Sequence, residues 1–252
     1  MFYQAVNRGL VPKDETKGYR VVQRRLVALR ESGDLPYGYI VDGTRYVYDY
    51  LRYDDLDEFT TYAAGLYRKN YWATSEVNVE VWLEKEALKG VLEPTVVDEC
   101  GLGLYVTRGF ASITYLQEAA EQIDADGRPT FVYVLTDFDP SGVSIAEKVE
   151  EELTERAPFS DITVERLAVN REQIERWNLP TRPTKTSDTR ASKFRRTHGT
   201  DSVELDAIPP DQLRQLVKDA IDSHMDPWKL EQFRMVEREE RETLRSIFGG
   251  AP

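Results

Sequence analysis

The order of hydrophobic and polar residues predicts a helical start to the chain. Near the amino terminus, apolar positions recur at helical spacing and are interrupted by one extended stretch. The predicted elements are helices over 2–8, 17–31 and 56–69, with an extended ribbon over 39–48 before the last helix. Asp42-Gly43 inside that ribbon is a turn signal of β-hairpins. Helices combined with a small ribbon are typical of a winged-helix-like module.

From residue 77 onward, short apolar runs alternate with amphipathic segments. The apolar runs predict strands over 77–83, 103–107, 130–136 and 162–168. The segments between them predict helices over 85–92, 112–123 and 143–155. Strands that alternate with helices at this spacing form a mostly parallel sheet with helices on both faces. Such sheets bind ligands at the carboxyl ends of their strands.

The remaining residues predict a loop, a strand and a helical end. Residues 179–200 are rich in Thr, Ser, Pro and Arg without apolar periodicity, which predicts a surface loop that orders on a ligand. A strand over 202–208 and helices over 210–248 follow. We therefore expect an α/β fold in three parts. These are a winged-helix-like domain over 1–72, a sheet domain over 73–208 with a basic loop over 180–200, and C-terminal helices over 209–252.

Composition restricts the chemistry. The chain has 40% hydrophobic and 31% charged residues, which is typical of a folded globular protein. A single cysteine, Cys100, excludes a cysteine-based zinc site, and two histidines leave little material for a histidine-rich one. Any metal is therefore expected on oxygen ligands. Since no leader pattern and no apolar run of ~20 residues is seen, we expect a cytoplasmic protein without a membrane partner.

Positive charge is concentrated in two segments of an acidic chain. The formal net charge of −12 opposes nucleic-acid binding on average. Residues 13–30, however, hold six basic and two acidic residues, and residues 182–196 hold six basic residues against Asp188 alone. A solvated helix face and a mobile loop are the alternative interpretations. The candidate DNA contacts are Lys17, Arg20, Arg24, Arg25, Arg108, Arg182, Lys185, Arg190, Lys193, Arg195 and Arg196.

Carboxylates follow two of the predicted strands. Asp137 and Asp139 come directly after strand 130–136, where Pro140 and Gly142 force a turn, and Glu84 follows strand 77–83. Residues i and i+2 of an extended backbone point the same way, so the two aspartates can converge on a hard cation such as Mg²⁺. A simple turn with a helix cap is the alternative. If the strands are neighbours, all three carboxylates form one acidic cluster.

A second strand-borne acidic pair, Glu204 and Asp206, allows two interpretations. The pair could hold a second metal ion, or it could fix the basic segment through ion pairs.

These motifs resemble the TOPRIM domains of the topoisomerase VI A subunit and of the meiotic double-strand-break transesterase. The chain shows LEKEA at 83–87 and DFDPSG at 137–142, and Tyr105-Val106-Thr107-Arg108-Gly109-Phe110 between them is similar to the family's Gly-aromatic stretch. Upstream, Met1-Phe2-Tyr3 resembles the end of the motif that carries the family's nucleophilic tyrosine, although the arginine of that motif is absent. The resemblance covers roughly residues 1 to 210 and is closest to the compact stand-alone mini-A proteins.

The resemblance implies a reaction and its partners. Tyr3 would attack a phosphodiester of double-stranded DNA, with Mg²⁺, or Mn²⁺ in its place, held by Glu84, Asp137 and Asp139. The tyrosine of one subunit meets the metal site of the other in the family, which implies a homodimer associated with the nucleoid. Since the chain has no GxxxxGK[ST] phosphate loop, strand passage would need a separate ATPase (B-type) subunit.

Two other functions stay open at this stage. TOPRIM domains also occur in hydrolytic nucleases, including a plasmid-defence nuclease, where the metal site activates water and Tyr3 would have no chemical role. A DNA-binding regulator without turnover is the third reading.

Overall fold

The computed structural model describes residues 2–40, 49–185 and 188–248, without the side chains of Tyr3, Asn7 and Phe248. The chain forms two compact units. One comprises residues 1–67 with 241–252, and the other comprises residues 68–240. The predicted ribbon over 39–48 lies, from residue 41 onward, outside the described residues.

The described residues of the first unit form α1 (Phe2–Asn7), α2 (Arg20–Glu31) and α3 (Leu56–Leu66), and the unit also includes the end of the last helix of the chain. The Asp14 side chain accepts hydrogen bonds from the amides of Thr16 and Lys17 and starts a π-helical turn that leads into α2. The predicted helix over 17–31 therefore exists and begins slightly earlier. Asp55 caps α3 in the same way, through a 2.8 Å bond from the Glu58 amide. The described part of this unit contains no strand, and the winged-helix-like prediction depends on the ribbon outside it.

The second unit is built on a four-stranded parallel sheet with strand order β2-β1-β3-β4. The strands are β1 (Asn78–Leu83), β2 (Leu104–Val106), β3 (Thr130–Leu135) and β4 (Ile162–Ala168). All four lie within one residue of the predicted bounds. The α/β class and the parallel sheet with helices beside it are therefore confirmed.

Helices fill the crossovers between the strands. They are α4 (Lys89–Glu93), α5 (Ile113–Asp126) and α6 (Pro140–Arg156), and a further helix that was not predicted, α7 (Arg171–Arg176), follows β4. On one face Trp82 and Val134 pack with Leu116 and Ile123 of α5 and with Leu153 of α6. Burying each such side chain contributes about 1.5–3 kcal/mol.

The other face of the sheet carries the larger core. Leu83 and Leu135 of the central strands lie there with Leu205, Leu213 and Val217 from the last part of the unit. The central strands β1 and β3 are therefore buried on both faces, which is why they read as near-continuous apolar runs.

The prediction of a structureless loop over 179–200 was wrong. The segment contains β5 (Arg182–Pro183) and α8 (Ala191–His198). Ala191 and Phe194 are buried while Arg195 and Arg196 are exposed. Two apolar anchors are enough to dock a helix of eight residues, and they are too few to produce a periodic signal against the surrounding Arg, Ser and Thr.

The predicted strand over 202–208 was also wrong in most of its length. Only β6 (Asp201–Ser202) is a strand, antiparallel to β5, and a 3-10 turn follows over Leu205–Ala207. Leu205, Ala207 and Ile208 are buried. The apolar residues of this turn point into the core, and their alternation in the sequence resembles the periodicity of a strand.

The last two described helices are α9 (Pro210–Asp222) and α10 (Pro227–Phe248), as the pattern predicted. None of the described helices combines the length and the apolar character that crossing a bilayer requires.

Candidate acidic site at the sheet edge

The carboxyl ends of β1 and β3 bring Glu84 and Asp137 together. The strands are neighbours, with Leu83 paired to Leu135, and the Glu84 amide donates to the Leu135 carbonyl over 3.0 Å. Two residues after Leu135, the Asp137 amide donates to Glu84 Oε2 over 3.1 Å. The condition on which the acidic cluster depended, that these strands are neighbours, is therefore met, and both carboxylates lie at one edge of the sheet.

Asp139 begins helix α6. Its Oδ1 accepts hydrogen bonds from the amides of Ser141 (3.0 Å) and Gly142 (2.9 Å), and Pro140 occupies the first helical position. The turn-and-cap interpretation is thus correct for Oδ1. The same carboxylate also reaches Arg182, whose Nη2 lies 3.6 Å from Asp139 Oδ2. Capping and site formation are therefore compatible for this residue.

The turn after Asp137 is tight enough to require glycine at one position. A Cβ on Gly142 would fall far inside van der Waals contact with the Asp137 carbonyl oxygen. Gly142 therefore lets the first turn of α6 fold back against the backbone of the DFD segment, and this close approach fixes Asp137 relative to the helix.

The segment after β6 completes the cluster. Phe138 and Val203 exchange two backbone hydrogen bonds of 2.8 and 2.9 Å, and the Leu205 amide donates to Asp137 Oδ1 over 2.8 Å. This pairing carries Glu204 and Asp206 to the same sheet edge. Five carboxylates therefore meet there, two more than the three assigned from strand ends.

Two cations neutralise part of this charge. The Lys85 ammonium lies 2.9 Å from Asp137 Oδ1 and 3.0 Å from both Glu204 Oε2 and Asp206 Oδ2. Arg182 Nη1 lies 2.6 Å from Glu204 Oε1. The interpretation of Glu204 as an ion-pair partner of the basic segment thus agrees with the contacts. Two cations among five carboxylates leave an excess of negative charge.

That excess changes the acidity of the cluster. Burial, the neighbouring charge of Asp137 and that of Asp139 raise the pKa of Glu84 to about 7. Burial also raises the pKa of Asp137, against the opposing pull of Lys85. For Lys85 burial lowers the pKa, but the three carboxylates outweigh it and the net shift is upward. Glu84 is therefore a member of the cluster whose pKa lies near neutral pH.

The residue types at this site favour binding of a divalent cation, but the present placement of their side chains does not. Carboxylate oxygens are what Mg²⁺ prefers, and the cluster carries excess negative charge. Among the residues that the structure describes, however, no three His, Cys, Asp or Glu side chains are placed so that they could ligate one ion together. Asp137 is bonded to Lys85 and to the Leu205 amide, and Asp139 faces Arg182. The residues do not form a ready ligand set as they stand.

The predicted basic residues of the second segment surround this site unevenly. Arg182 and Lys185 line a cavity of about 230 Å³ together with Asp139. Arg190 is paired with Asp188 at 2.9 Å, and Lys193 is paired with Glu147 at 2.8 Å. Helix α8 adds Arg195 and Arg196, both exposed. Arg108, at a positive φ of 54°, pairs with Glu86.

The other predicted site residues belong to the first unit. Lys17, Arg20, Arg24 and Arg25 are all exposed, in the π-helical turn and on α2. Tyr3 lies in α1, and its side chain is outside the described part of the structure.

Sequence reasoning missed Lys85 as the centre of the ion-pair cluster. The signal that could have identified Lys85 was its position next to Glu84, because neighbouring residues at a strand end lie at the same edge of the sheet.

No family model matches the chain, and a comparison with curated proteins finds no match.

Proposed function

We propose that this chain cleaves DNA strands in a Mg²⁺-dependent reaction of the topoisomerase VI A type. The observation that supports it is the juxtaposition of Glu84, Asp137 and Asp139 at the carboxyl edge of a parallel sheet. Arg182 and Lys185 beside Asp139 are suited to hold a phosphate next to these carboxylates. Mg²⁺ would supply charge stabilisation at that phosphate, and its binding would require Arg182 to release Asp139.

In the proposed reaction the Tyr3 hydroxyl loses its proton to solvent and its oxygen attacks a DNA phosphorus. A phosphotyrosyl bond forms to the 5′ side while the bond from phosphorus to the 3′ oxygen breaks, and that oxygen takes up a proton. Glu84 is the proton carrier that we assign to the leaving oxygen, since its pKa of about 7 lets it hold and release a proton near neutral pH.

The proposal includes two kinds of protein partner. Two chains would act as a homodimer so that both strands are cut, with Tyr3 of one chain serving the acidic site of the other. A separate ATPase subunit would be needed for strand passage. The exposed basic residues of α2 and α8 are the phosphate contacts that would position double-stranded DNA.

A hydrolytic DNA nuclease is the second candidate. A carboxylate with a pKa of about 7 in a half-buried site is suited to deprotonate water as well as to serve a tyrosine. In that reaction the new bond to phosphorus comes from water, and no protein–DNA bond forms.

The test is incubation of supercoiled plasmid with the protein and Mg²⁺ or Mn²⁺, stopped with detergent and analysed with and without protease. Tyr3→Phe and Asp137→Asn are compared with Tyr37→Phe, an exposed tyrosine of the same unit, and with Asp161→Asn, an exposed aspartate before β4. Protein-linked breaks lost in Tyr3→Phe and Asp137→Asn alone support the transesterase. Free-ended breaks that are lost only in Asp137→Asn support the hydrolase. Intact DNA under all conditions contradicts both and favours a DNA-binding protein without turnover.

A further inference from the structure

A groove of about 280 Å³ lies between helices α6 and α8, and its lining includes Val143, Ser144, Glu147, Lys193, Phe194 and His198. None of the five carboxylates of the acidic site lines it, so it is a separate cavity. We propose that this α6–α8 groove holds one unpaired base of the DNA substrate. The inference deepens the proposed function and rests on it for the choice of DNA as the ligand.

One face of each helix forms a wall of the groove. Val143 and Glu147 lie one turn apart on α6, and Phe194 and His198 lie one turn apart on α8. Val143 and Phe194 pack into the larger core, which gives the groove a fixed apolar floor. The rings of Phe194 and His198 are 5.1 Å apart. Burial and the charge of Arg166 lower the pKa of His198, so both rings are uncharged near neutral pH. The groove therefore offers aromatic surface to a flat ligand.

The polar groups of the groove match the edge of a base. The Glu147 carboxylate and the Lys193 ammonium lie 2.8 Å apart, so an acceptor and a donor stand side by side. Both side chains are more than half exposed, which lets them change partner at little cost. Ser144 adds a hydroxyl. The edge of a base carries donors and acceptors together. A phosphate would instead face the Glu147 carboxylate, and an apolar ring would offer these groups no partner.

Pro140 connects the α6–α8 groove with the acidic site. It lines the groove and also the cavity of about 230 Å³ that contains Asp139, Arg182 and Lys185. The two cavities are therefore neighbours, one with cations suited to a phosphate and the other with surface suited to a base. A nucleotide carries both groups, joined by its sugar. Because a base inside a duplex is stacked and paired, only an unpaired nucleotide can place its base in the groove.

The test compares the affinity of the protein for three DNA molecules by fluorescence anisotropy in EDTA, where metal-dependent cleavage does not occur. The first is a fully paired duplex, and the second has one extra unpaired adenosine. The third has an abasic residue in place of that adenosine. We expect the parent chain to bind the second about tenfold more tightly than the other two. With 2-aminopurine as the unpaired base, its fluorescence should become several-fold less sensitive to acrylamide in the complex.

Two substitutions fill the α6–α8 groove from opposite walls, Ser144→Phe on α6 and Thr197→Phe on α8. The matched controls are Thr154→Phe and Ser192→Phe, because these residues are exposed hydroxyl residues of the same two helices that do not line the groove. Each filled variant should bind the three DNA molecules with similar affinity, and each control should keep the tenfold preference. Fillers on two different helices keep the test decisive if one variant does not fold.

Equal affinity of the parent chain for the adenosine and abasic molecules would overturn the proposal, because the preference would then come from backbone flexibility. A preference that survives in both filled variants, or an unpaired 2-aminopurine that stays fully open to acrylamide, would also overturn it. The plasmid assay with Mg²⁺ separates this inference from the proposed function. Cleavage without a base-dependent preference contradicts the base site alone, and a base-dependent preference without cleavage contradicts the proposed reaction alone.

Discussion

The amide of Asp137 donates a 3.1 Å hydrogen bond to Glu84 Oε2, which joins the ends of two adjacent parallel strands. The bond favours the ionised form of Glu84, but burial and the charge of Asp137 outweigh it and raise the pKa of Glu84 to about 7. Glu84 is therefore largely protonated in mildly acidic solution, where an ordinary glutamate is ionised.

This pKa predicts how cation affinity depends on pH. A divalent cation binds the ionised carboxylate, so it must displace the Glu84 proton below pH 7. Mn²⁺ affinity should rise about tenfold per pH unit up to about pH 7 and level off above it. Titrations from pH 5.5 to 8.5 test this expectation. Glu84→Gln should show weaker and nearly pH-independent binding, whereas Glu86→Gln should keep the rise. An unchanged rise in Glu84→Gln would assign the proton to another group.

Gly142→Ala should destabilise the protein and damage the site together. The new methyl would clash with the Asp137 carbonyl, which is backbone and cannot move aside cheaply. We expect a loss of about 3 kcal/mol in the free energy of unfolding, together with weaker Mn²⁺ binding. Gly90→Ala is the control, because a Cβ there meets no atom within 4 Å. Its stability should equal or slightly exceed that of the parent chain. Urea unfolding compares the three proteins, and equal stability of the two variants would contradict the close-approach argument.

The sheet and the carboxylates at its edge could be predicted because their signals are local. Apolar runs mark β1, β3 and β4, and an acidic residue directly after such a run must lie at the strand's carboxyl end. The sequence alone did not show that β1 and β3 are neighbours, since strand order depends on packing that no single segment encodes.

The rest of the site could not be predicted, because it depends on contacts between distant residues. The contacts of Lys85 with Glu204 and Asp206 depend on the pairing of Val203 with Phe138. Helix α8 is held by two buried side chains, too few to show a helical period. Long-range pairing of this kind sets side-chain environments without leaving a pattern in either segment.

Thr136→Val should leave stability unchanged or raise it by about 1 kcal/mol. The Thr136 hydroxyl is fully buried, and no hydrogen-bond partner for it exists in the described part of the chain. Replacing an unsatisfied hydroxyl by a methyl of similar shape removes a desolvation cost. Thr130→Val is the matched control, because Thr130 is also buried but donates to the Arg128 carbonyl. It should lose about 1 kcal/mol, and chemical unfolding distinguishes the two. A loss of the same size in Thr136→Val would mean that its hydroxyl is satisfied in solution.

The DNA contacts that we propose for α8 should differ in strength along the helix. Arg195 and Arg196 are exposed, whereas Lys193 is paired with Glu147. Arg195→Ala with Arg196→Ala should weaken duplex binding and reduce the slope of log affinity against log salt by about 2. Fluorescence anisotropy from 50 to 200 mM salt measures both. The control is the double variant Arg214→Ala with Lys218→Ala on α9, where each of the two basic side chains pairs with a nearby carboxylate. Equal effects of the two double variants would place the DNA elsewhere.

A buried carboxyl inside the sheet should make folding stability depend on pH. Glu80 is 4% exposed and accepts a 2.8 Å hydrogen bond from Trp82 Nε1, and burial raises its pKa. The folded protein therefore holds this proton more tightly than the unfolded chain does. Its contribution to stability is complete below the unfolded pKa of about 4.3 and decreases as pH rises through the folded pKa.

Glu80→Gln keeps an acceptor for Trp82 and removes the ionisation. Its stability relative to the parent chain should therefore increase from pH 4.5 to pH 8. In this range Glu80 of the folded parent chain must either ionise while buried or stay protonated where a free glutamate would be ionised, and both cost free energy. Urea unfolding followed by tryptophan fluorescence at several pH values measures the difference. Glu76→Gln, an exposed glutamate just before β1, should show no such trend. A constant difference between Glu80→Gln and the parent chain at all pH values would show that Glu80 ionises normally in the folded protein.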